Sequence, residues 1–336
     1  MDGMLIGRAR PGGARVCSVG AYRPERVVYN KEICEPIDST DEWIQQRSGI
    51  VSRRYASPAE TIVDMAVCAG RAALARAGIP PAAVGAVLVA SMSHLWQSPA
   101  AAPEVAHRLG AHDAGAFDVS AACAGFCYAL AVADSLVQVG SARYVLVIGS
   151  ERMTDIIDPR DRSTAFLFGD GAGAMLVGPS PTPEIGPVVW GADGAGRGLI
   201  AHDESWLSLR ERPGAWPVMR MAGPEVFRWA LREMPPVARA AVADAGLSVS
   251  DLAAFIPHQA NARIIDKMAQ SLGLPPSVVI ARDIETAGNT SAASIPLAMD
   301  TLLADPDTAP QGRALLAGFG AGLSHACLVI TLPPAR

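Results

Sequence analysis

The chain has 336 residues, half of them apolar and 5% aromatic, so it is long enough for two domains with a core of mostly Ala, Val, Leu and Ile. Its net charge of −5 argues against nucleic acid or an anionic membrane as the main partner. The six cysteines have no zinc or disulfide spacing, and neither a signal peptide nor a membrane-spanning apolar stretch is recognisable, so we expect no metal, no membrane and a reducing cytoplasm.

Helical and strand patterns alternate along the first half, which is typical of the α/β class. Ser57 and Glu60 have the spacing of a capping box with Pro58 at the first helical position, which predicts a helix from there to Ala77. Strands are predicted at residues 86–91, 115–119, 144–149 and 174–177, and an apolar helix at 123–139. Four prolines between residues 179 and 187 then indicate a boundary near residue 180.

The second half alternates in the same way. Helices are predicted at residues 224–245, 260–272 and 291–303, the first of them bent by Pro235 and Pro236, and strands at 253–256, 314–318 and 326–332. Residues 193–220, which contain several Gly and Pro, are predicted as a long surface excursion. Long irregular segments of this kind are often functional.

A repeat relates the two halves. The sequence from Ala75, a helix end followed by Gly78 and an apolar strand, recurs in outline from Ala243 with Gly246, 168 residues later. We therefore expect two similar halves, residues 14–180 and 181–336, that share one interior and can form a site where they meet.

Cys123 follows a predicted strand and lies at the first turn of a predicted helix. The free N–H groups and the dipole at a helix start favour a thiolate, and they could also hold the oxygen of a thioester formed there. A buried structural cysteine is the commoner role for such a residue taken alone.

His258 follows a strand at its carboxyl end, where active groups of open α/β sheets gather, and Asn289 precedes a helix. Taken singly, a structural histidine and a capping asparagine are the commoner roles. The repeat changes this judgement, because residue 291 is 168 positions after Cys123 and the two loops are therefore counterparts. A Cys, a His and an Asn that converge suit covalent acyl transfer with a stabilised enolate.

At these motifs the chain resembles β-ketoacyl-acyl carrier protein synthase III, the condensing enzyme that starts fatty acid or aromatic polyketide synthesis. The resemblance extends from about residue 15 to 332, and its specific segments are residues 39–50, 121–126, 168–174, 257–261, 288–291 and 318–322. It implies a thiolase-like fold, an internally duplicated five-layered αβαβα sandwich, in a homodimer with no cofactor.

The resemblance also implies the chemistry. Cys123 would be acylated by an acyl-CoA starter, and His258 and Asn289 would promote decarboxylation of malonyl-acyl carrier protein. Backbone N–H groups of Cys123 and of the turn at Gly320 and Ala321 would form an oxyanion hole, and Phe319 would shield the site.

Binding residues follow by position in the same family. For coenzyme A these are Trp43 for the adenine, Arg47 and Arg162 for the phosphates, and Asn261 for the pantetheine arm. For the acidic carrier protein they are Arg228, Arg263 and Lys267. Two positions that carry Lys in the family are neutral here, Gln270 and Ser271, so we expect the carrier interaction to depend on few charges.

One departure concerns the starter group. Members that prefer acetyl groups tend to have Phe before the Pro at position 99, where it walls the acyl pocket of the neighbouring subunit, and this chain has Ser98 there. We expect a roomier pocket for propionyl, branched or longer starters, which Trp96 or Leu95 could partly refill.

Three functions stay open at this point. The first is the decarboxylative condensation. The second is acyl transfer from the same cysteine to a hydroxyl or amine acceptor, and the third is a non-catalytic acyl-CoA-binding partner. Elongating ketosynthases are excluded because they carry a second His where this chain has Asn289. Thiolases are excluded because the loop after Gly318 lacks a second Cys.

Overall fold

The computed structural model describes residues 12–214, 216–304 and 306–335. Its strands are β1 (Gly13–Tyr22), β2 (Arg26–Tyr29), β3 (Ser52–Tyr55), β4 (Ala86–Ala90), β5 (Gly115–Val119), β6 (Val145–Glu151), β7 (Gly171–Ser180), β8 (Val189–Ala192), β9 (Ile200–His202), β10 (Met219–Met221), β11 (Leu252–Pro257), β12 (Val279–Ile280), β13 (Arg313–Gly320) and β14 (Ser324–Thr331). Its helices are α1 (Asn30–Cys34), α2 (Asp41–Ser48), α3 (Ile62–Ala77), α4 (Ala101–Leu109), α5 (Gly125–Gln138), α6 (Ser208–Glu211), α7 (Gly223–Asp244), α8 (Ala262–Leu272), α9 (Ile284–Ala287) and α10 (Ser294–Leu302).

Two five-stranded sheets have the same topology. The first has the order β1-β7-β6-β4-β5 and the second the order β8-β14-β13-β11-β12. In each sheet the first two pairings are antiparallel and the last two are parallel. The first sheet uses only strands before residue 181 and the second only strands after it. The sequence repeat is thus matched by a repeat of the strand order.

Five layers stack on three of the four apolar clusters that the described residues form. The outer helices α3 and α4 cover one face of the first sheet, and α7 and α8 cover one face of the second. The helices α5 and α10 lie between the sheets and contribute to one continuous core with both. Backbones come close in this middle layer: a Cβ on Gly149 would lie 2.3 Å from the Ala292 carbonyl oxygen.

Some predicted boundaries were wrong. The helix predicted from Ser57 begins instead at Ile62, because Thr61 and Asp64 form the capping box that starts it. The strand predicted from residue 174 begins at Gly171 and pairs with β1 over residues 172–180 and with β6 over residues 171–177. The excursion at residues 193–220 contains the short antiparallel pair β9 and β10, so it is more regular than its composition predicts.

The middle layer positions the site. A single 3₁₀ turn, Ala122–Ala124, precedes α5, and a matching turn, Ser291–Ala293, precedes α10. Both turns contain a residue with positive φ, +44° at Ala122 and +47° at Ser291. The two turns contact each other, so the starts of the two central helices meet between the sheets.

Candidate active site

Cys123, His258 and Asn289 line one cavity of about 590 Å³. Cys123 lies in the turn before α5, His258 directly follows β11, and Asn289 precedes the turn before α10. The structure therefore brings together the three side chains that the sequence singled out, one from the first half and two from the second.

Cys123 is buried, and burial raises the pKa of its thiol to about 12, against a lowering influence of the Ser291 hydroxyl. The expectation of a thiolate was wrong for this resting site, because desolvation outweighs the N–H groups of a single 3₁₀ turn. Cys123 therefore rests as a thiol, and any reaction as a nucleophile would require the loss of its proton.

His258 is neutral at physiological pH. It is 2% exposed, and burial lowers its pKa to about 3. Its Nδ1 lies 2.7 Å from the Ser294 hydroxyl, which also accepts a hydrogen bond from the Gln259 N–H at 3.2 Å. The ring of Phe319 packs edge-on against the imidazole at 5.3 Å between centroids. With Nδ1 engaged, Nε2 is the nitrogen that can serve the cavity.

Asn289 is held so that its amide nitrogen is available. Its Oδ1 accepts a hydrogen bond from the Ser291 N–H at 2.9 Å. Its backbone N–H donates to the Leu167 carbonyl at 2.8 Å, and its carbonyl accepts from the Gly169 N–H at 3.1 Å. Since the amide oxygen is occupied, the NH₂ group remains as a neutral hydrogen-bond donor.

Gly320 leaves room beside the nucleophile. A Cβ at this position would lie 2.7 Å from the Cys123 Cβ and 3.0 Å from its backbone nitrogen. Any side chain here would displace Cys123, so a glycine is required by the close approach of the two backbones. Phe319 and Gly320 line the cavity, whereas Ala321 is not among the lining residues.

The four predicted coenzyme A residues line the same cavity. The Arg162 guanidinium lies 4.8 Å over the Trp43 ring, and Phe166 contacts the edge of that ring at 5.1 Å between centroids. Asn261 caps α8 by accepting from the Arg263 N–H at 2.9 Å, and its Nδ2 donates to the Arg47 carbonyl at 3.0 Å.

The predicted carrier-binding residues separate into two groups. Arg228 and Arg263 are exposed and line the cavity, with Arg228 2.8 Å from Glu225 and Arg263 over the Phe227 ring at 5.4 Å. Lys267 is one turn further along α8, donates to Gln270 at 3.1 Å and does not line the cavity.

Ser98 and Trp96 do not reach the cavity of their own chain. Both lie in an exposed loop, and Trp96 is 72% exposed. Instead, the apolar wall includes Met92, Ile200, Met219 and Met221, which the sequence analysis missed. The two methionines alternate with Arg220, a period-two signal inside the excursion that could have revealed β10.

Residues 12–214, 216–304 and 306–335 contain no cluster of three or more His, Cys, Asp or Glu side chains that could hold a metal ion. No helix within those ranges is both long and apolar enough to span a membrane.

Solved structures with the same architecture carry the same type of function. The priming β-ketosynthase of the R1128 polyketide pathway is 51% identical, with a TM-score of 0.96, covering 99% of this chain and 100% of its own. The 3-oxoacyl-(acyl carrier protein) synthase III of Pseudomonas aeruginosa PAO1 is 36% identical, with a TM-score of 0.87, covering 96% and 99%. Fold and site together define a thiolase-like condensing enzyme of the acyltransferase class.

Sequence comparisons identify the family. The profile described as 3-oxoacyl-[acyl-carrier-protein (ACP)] synthase III matches residues 117–194, and its C-terminal counterpart matches residues 242–332. The β-ketoacyl-[acyl-carrier-protein] synthase III of Streptomyces lividans is 53% identical over 321 residues, 95% of each chain. The chain belongs to the β-ketoacyl-acyl carrier protein synthase III family. The predicted five-layered fold and the predicted condensation that initiates fatty acid or polyketide synthesis are confirmed.

Proposed function

We propose that this enzyme condenses an acyl-CoA starter with malonyl-acyl carrier protein through a thioester on Cys123, with His258 and Asn289 as the other catalytic residues. The observation that carries the proposal is the single cavity in which a thiol, a neutral imidazole and an oriented carboxamide meet. These groups supply each chemical step without a cofactor. The six free cysteines are compatible with a reducing cytoplasm.

In the first half-reaction the Cys123 sulfur attacks the thioester carbonyl of acyl-CoA. His258 Nε2 takes the thiol proton and returns it to the departing coenzyme A sulfur. For this step Nδ1–H donates to the Ser294 hydroxyl, which is within reach at 2.7 Å. The oxygen of the tetrahedral intermediate is placed against the N–H of Cys123 and the N–H groups at Gly320 and Ala321.

In the second half-reaction the malonyl group loses carbon dioxide and the electron pair moves into an enolate. His258 Nε2–H and the Asn289 NH₂ donate to the enolate oxygen. The imidazole therefore changes tautomer between the two half-reactions: it loses the Nδ1 proton to solvent and takes up a solvent proton at Nε2 after coenzyme A has left. The Ser294 hydroxyl then donates to Nδ1, which it can do while accepting from Gln259 N–H. The enolate carbon then attacks the acyl group on Cys123, and the released thiolate takes up a proton.

Four arginines at the cavity support the choice of substrates. Arg47, Arg162, Arg228 and Arg263 are exposed lining residues, and phosphates are groups that arginine binds well. Coenzyme A and the phosphopantetheine arm of a carrier protein both carry phosphates. We assign Trp43, Arg47, Arg162 and Asn261 to coenzyme A, and Arg228, Arg263 and Lys267 to the carrier protein.

We further propose a homodimer that pairs along β5. This strand is the outermost of its sheet, and its residue Phe117 is 43% exposed. An exposed edge strand with an apolar side chain is a natural pairing site. The exposed loop with Trp96 and Ser98 would then wall the acyl pocket of the other copy. Because Ser98 is small, the pocket would accept starters larger than acetyl.

One experiment tests the central proposal. The protein is incubated with acetyl-, propionyl- and isobutyryl-CoA, the adduct mass on Cys123 is read, and malonyl-carrier protein is then added. We expect an acyl adduct at Cys123, none in Cys123→Ala, and carbon dioxide release with consumption of the adduct. Adduct formation without carbon dioxide release would favour transfer to a hydroxyl or amine acceptor, and no adduct would favour a non-catalytic binding protein.

A further inference from the structure

Glu151, the last residue of β6, is a fully buried carboxyl group that the reaction steps above do not use. Its Oε2 accepts from the Ser93 hydroxyl at 2.5 Å and from the Ser93 N–H at 3.1 Å. The Ser91 hydroxyl donates to the same oxygen at 3.1 Å, and the Met92 N–H donates to both oxygens. Its Oε1 also accepts from the Ala292 N–H at 3.4 Å. The carboxyl thus joins a loop of the first half to a turn of the second.

The duplication gives this position a counterpart. Glu151 ends the third strand of the first sheet, and Gly320 ends the third strand of the second. Gly320 lies against the turn that carries Cys123, whereas Glu151 lies against the matching turn at Ala292. In the second half the glycine leaves space beside the turn, and in the first half the Glu151 carboxyl group fills the equivalent space.

Ser291 connects Glu151 to the reacting groups. Its N–H orients the Asn289 amide, and its φ of +47° makes the turn depend on outside support. Its buried hydroxyl has no hydrogen-bond partner of good geometry among the described residues, and it lies beside both the Cys123 thiol and the Glu151 carboxyl. On the other side of Glu151, Met92 forms part of the cavity wall.

We propose that Glu151 is a positioning residue: its carboxyl group holds the turn at residues 291–293, and through it the Asn289 amide and the Ser291 hydroxyl beside Cys123. The assignment deepens the proposed condensation and depends on it for the role of Asn289. The predicted change in the reactivity of the Cys123 thiol does not depend on the condensation. It follows from the proximity of Glu151 and Ser291 to that thiol.

A carboxylate suits this place better than its amide. Both oxygens accept from backbone N–H groups, so the NH₂ of a glutamine would face a donor in either orientation. Glu151 is the ionisable group whose charge acts on the Cys123 thiol, and His258, which lines the same cavity, is neutral. Around Glu151 the neighbouring Arg152 is directed to Asp155 at 3.3 Å, and the loop at residues 91–93 and the turn at 291–293 contain no ionisable side chain.

The first test compares Glu151→Gln with Asp170→Asn. Asp170 is a matched control, since it is 1% exposed and likewise accepts from two backbone N–H groups and a hydroxyl. In Glu151→Gln we expect carbon dioxide release from malonyl-carrier protein to fall about tenfold to a hundredfold, because a misplaced group can cost about that much. Acylation of Cys123 by acyl-CoA should change less than about threefold. Asp170→Asn should change the rates of acylation and of carbon dioxide release by the same factor, whatever it does to the melting temperature.

The second test follows alkylation of Cys123 by iodoacetamide as a function of pH, with the site read by peptide mass. Burial raises the pKa of Glu151 although its hydrogen bonds favour the ionised form, and its charge raises the pKa of the Cys123 thiol. With that charge removed in Glu151→Gln, the alkylation midpoint should move to lower pH and the rate at pH 8 should rise about threefold. Ser291→Ala removes a hydroxyl that favours the thiolate, so its midpoint should move to higher pH. Ala keeps the backbone N–H groups, so this variant should fold even if Glu151→Gln does not.

The outcomes separate the two proposals. If wild-type protein shows neither a Cys123 adduct nor carbon dioxide release, the condensation assignment fails while the alkylation test of Glu151 still stands. If both half-reactions fall equally in Glu151→Gln and neither variant moves the alkylation midpoint, Glu151 is only part of the core and the inference is wrong.

Discussion

At the scale of single residues, the Cys123 thiol and the His258 imidazole are both uncharged in the resting site. A thiol with a raised pKa and an imidazole with a lowered one lie in the same cavity, both because they are buried. The motifs and the repeat were enough to predict that Cys123, His258 and Asn289 are the candidate site residues and that they lie close together. Their protonation states could not be predicted, because desolvation depends on side chains distant in sequence, such as Phe319.

The lowered pKa of His258 predicts a pH dependence of stability. The unfolded chain has a histidine near 6.5 and the folded chain has one near 3, so protons bind preferentially to the unfolded state between these values. The contribution is complete above pH 6.5 and is lost as the pH falls towards 3. When the pH falls from 7 to 5, protonation of His258 in the unfolded state should lower the unfolding free energy of the wild type by about 2 kcal/mol. Denaturant unfolding of wild type and His258→Asn at both pH values measures the difference; equal losses would contradict it.

At the scale of elements, types were easier to predict than ends. The alternation of strands and helices follows from periodicity, but α3 begins at Ile62. Two capping-box sequences follow one another, at residues 57–60 and 61–64, and only the second leads into the helix. The pair β9 and β10 was hidden because its residues are few and its surroundings are rich in Gly and Pro.

The start of α3 can be tested directly. Thr61 accepts the Asp64 N–H, so Thr61→Ala should lower the unfolding free energy by about 1 kcal/mol. Ser57→Ala is the matched control at the cap that the sequence suggested, and it should cost less than about 0.5 kcal/mol. Denaturant melts of the two variants decide, and a larger loss in Ser57→Ala would restore the original boundary.

Helix α8 presents Arg263 to the cavity and Lys267 one turn away from it. We expect Arg263→Glu to raise the KM for malonyl-carrier protein about tenfold, because it reverses a charge that faces an acidic partner. Acylation by acyl-CoA should be unaffected, and Lys267→Glu should have a smaller effect. Steady-state kinetics of the two half-reactions provide the measurement, and equal damage to both would refute the carrier assignment.

At the scale of the whole molecule, two similar halves enclose one site. Buried Asp300 in α10 bonds to Arg23 at 2.9 Å and to Arg76 of α3 at 2.7 Å, so ion pairs also join the halves. The duplication was visible in the sequence because helix ends and strands repeat in order.

The loop with Ser98 carries a prediction at this scale. Ser98→Phe should shift starter use towards acetyl-CoA, with isobutyryl adducts on Cys123 falling about tenfold relative to acetyl adducts, as expected when a pocket loses a few methyl volumes. Ser98→Ala should leave the ratio unchanged. Competition between acyl-CoAs, read as adduct masses, measures it. A wild type that already prefers acetyl strongly would defeat the idea of a roomier pocket.

The third strand of one sheet ends in Glu151 and that of the other ends in Gly320, and this difference limits the number of places where a thioester can form. The 3₁₀ turns before α5 and α10 have the same shape, but only the turn before α5, which faces Gly320, has both the space and a sulfur atom for a thioester. The other is sealed by a carboxylate. On the proposed mechanism each polypeptide therefore loads one acyl chain, and the turn before α10 supports the site without carrying an acyl group.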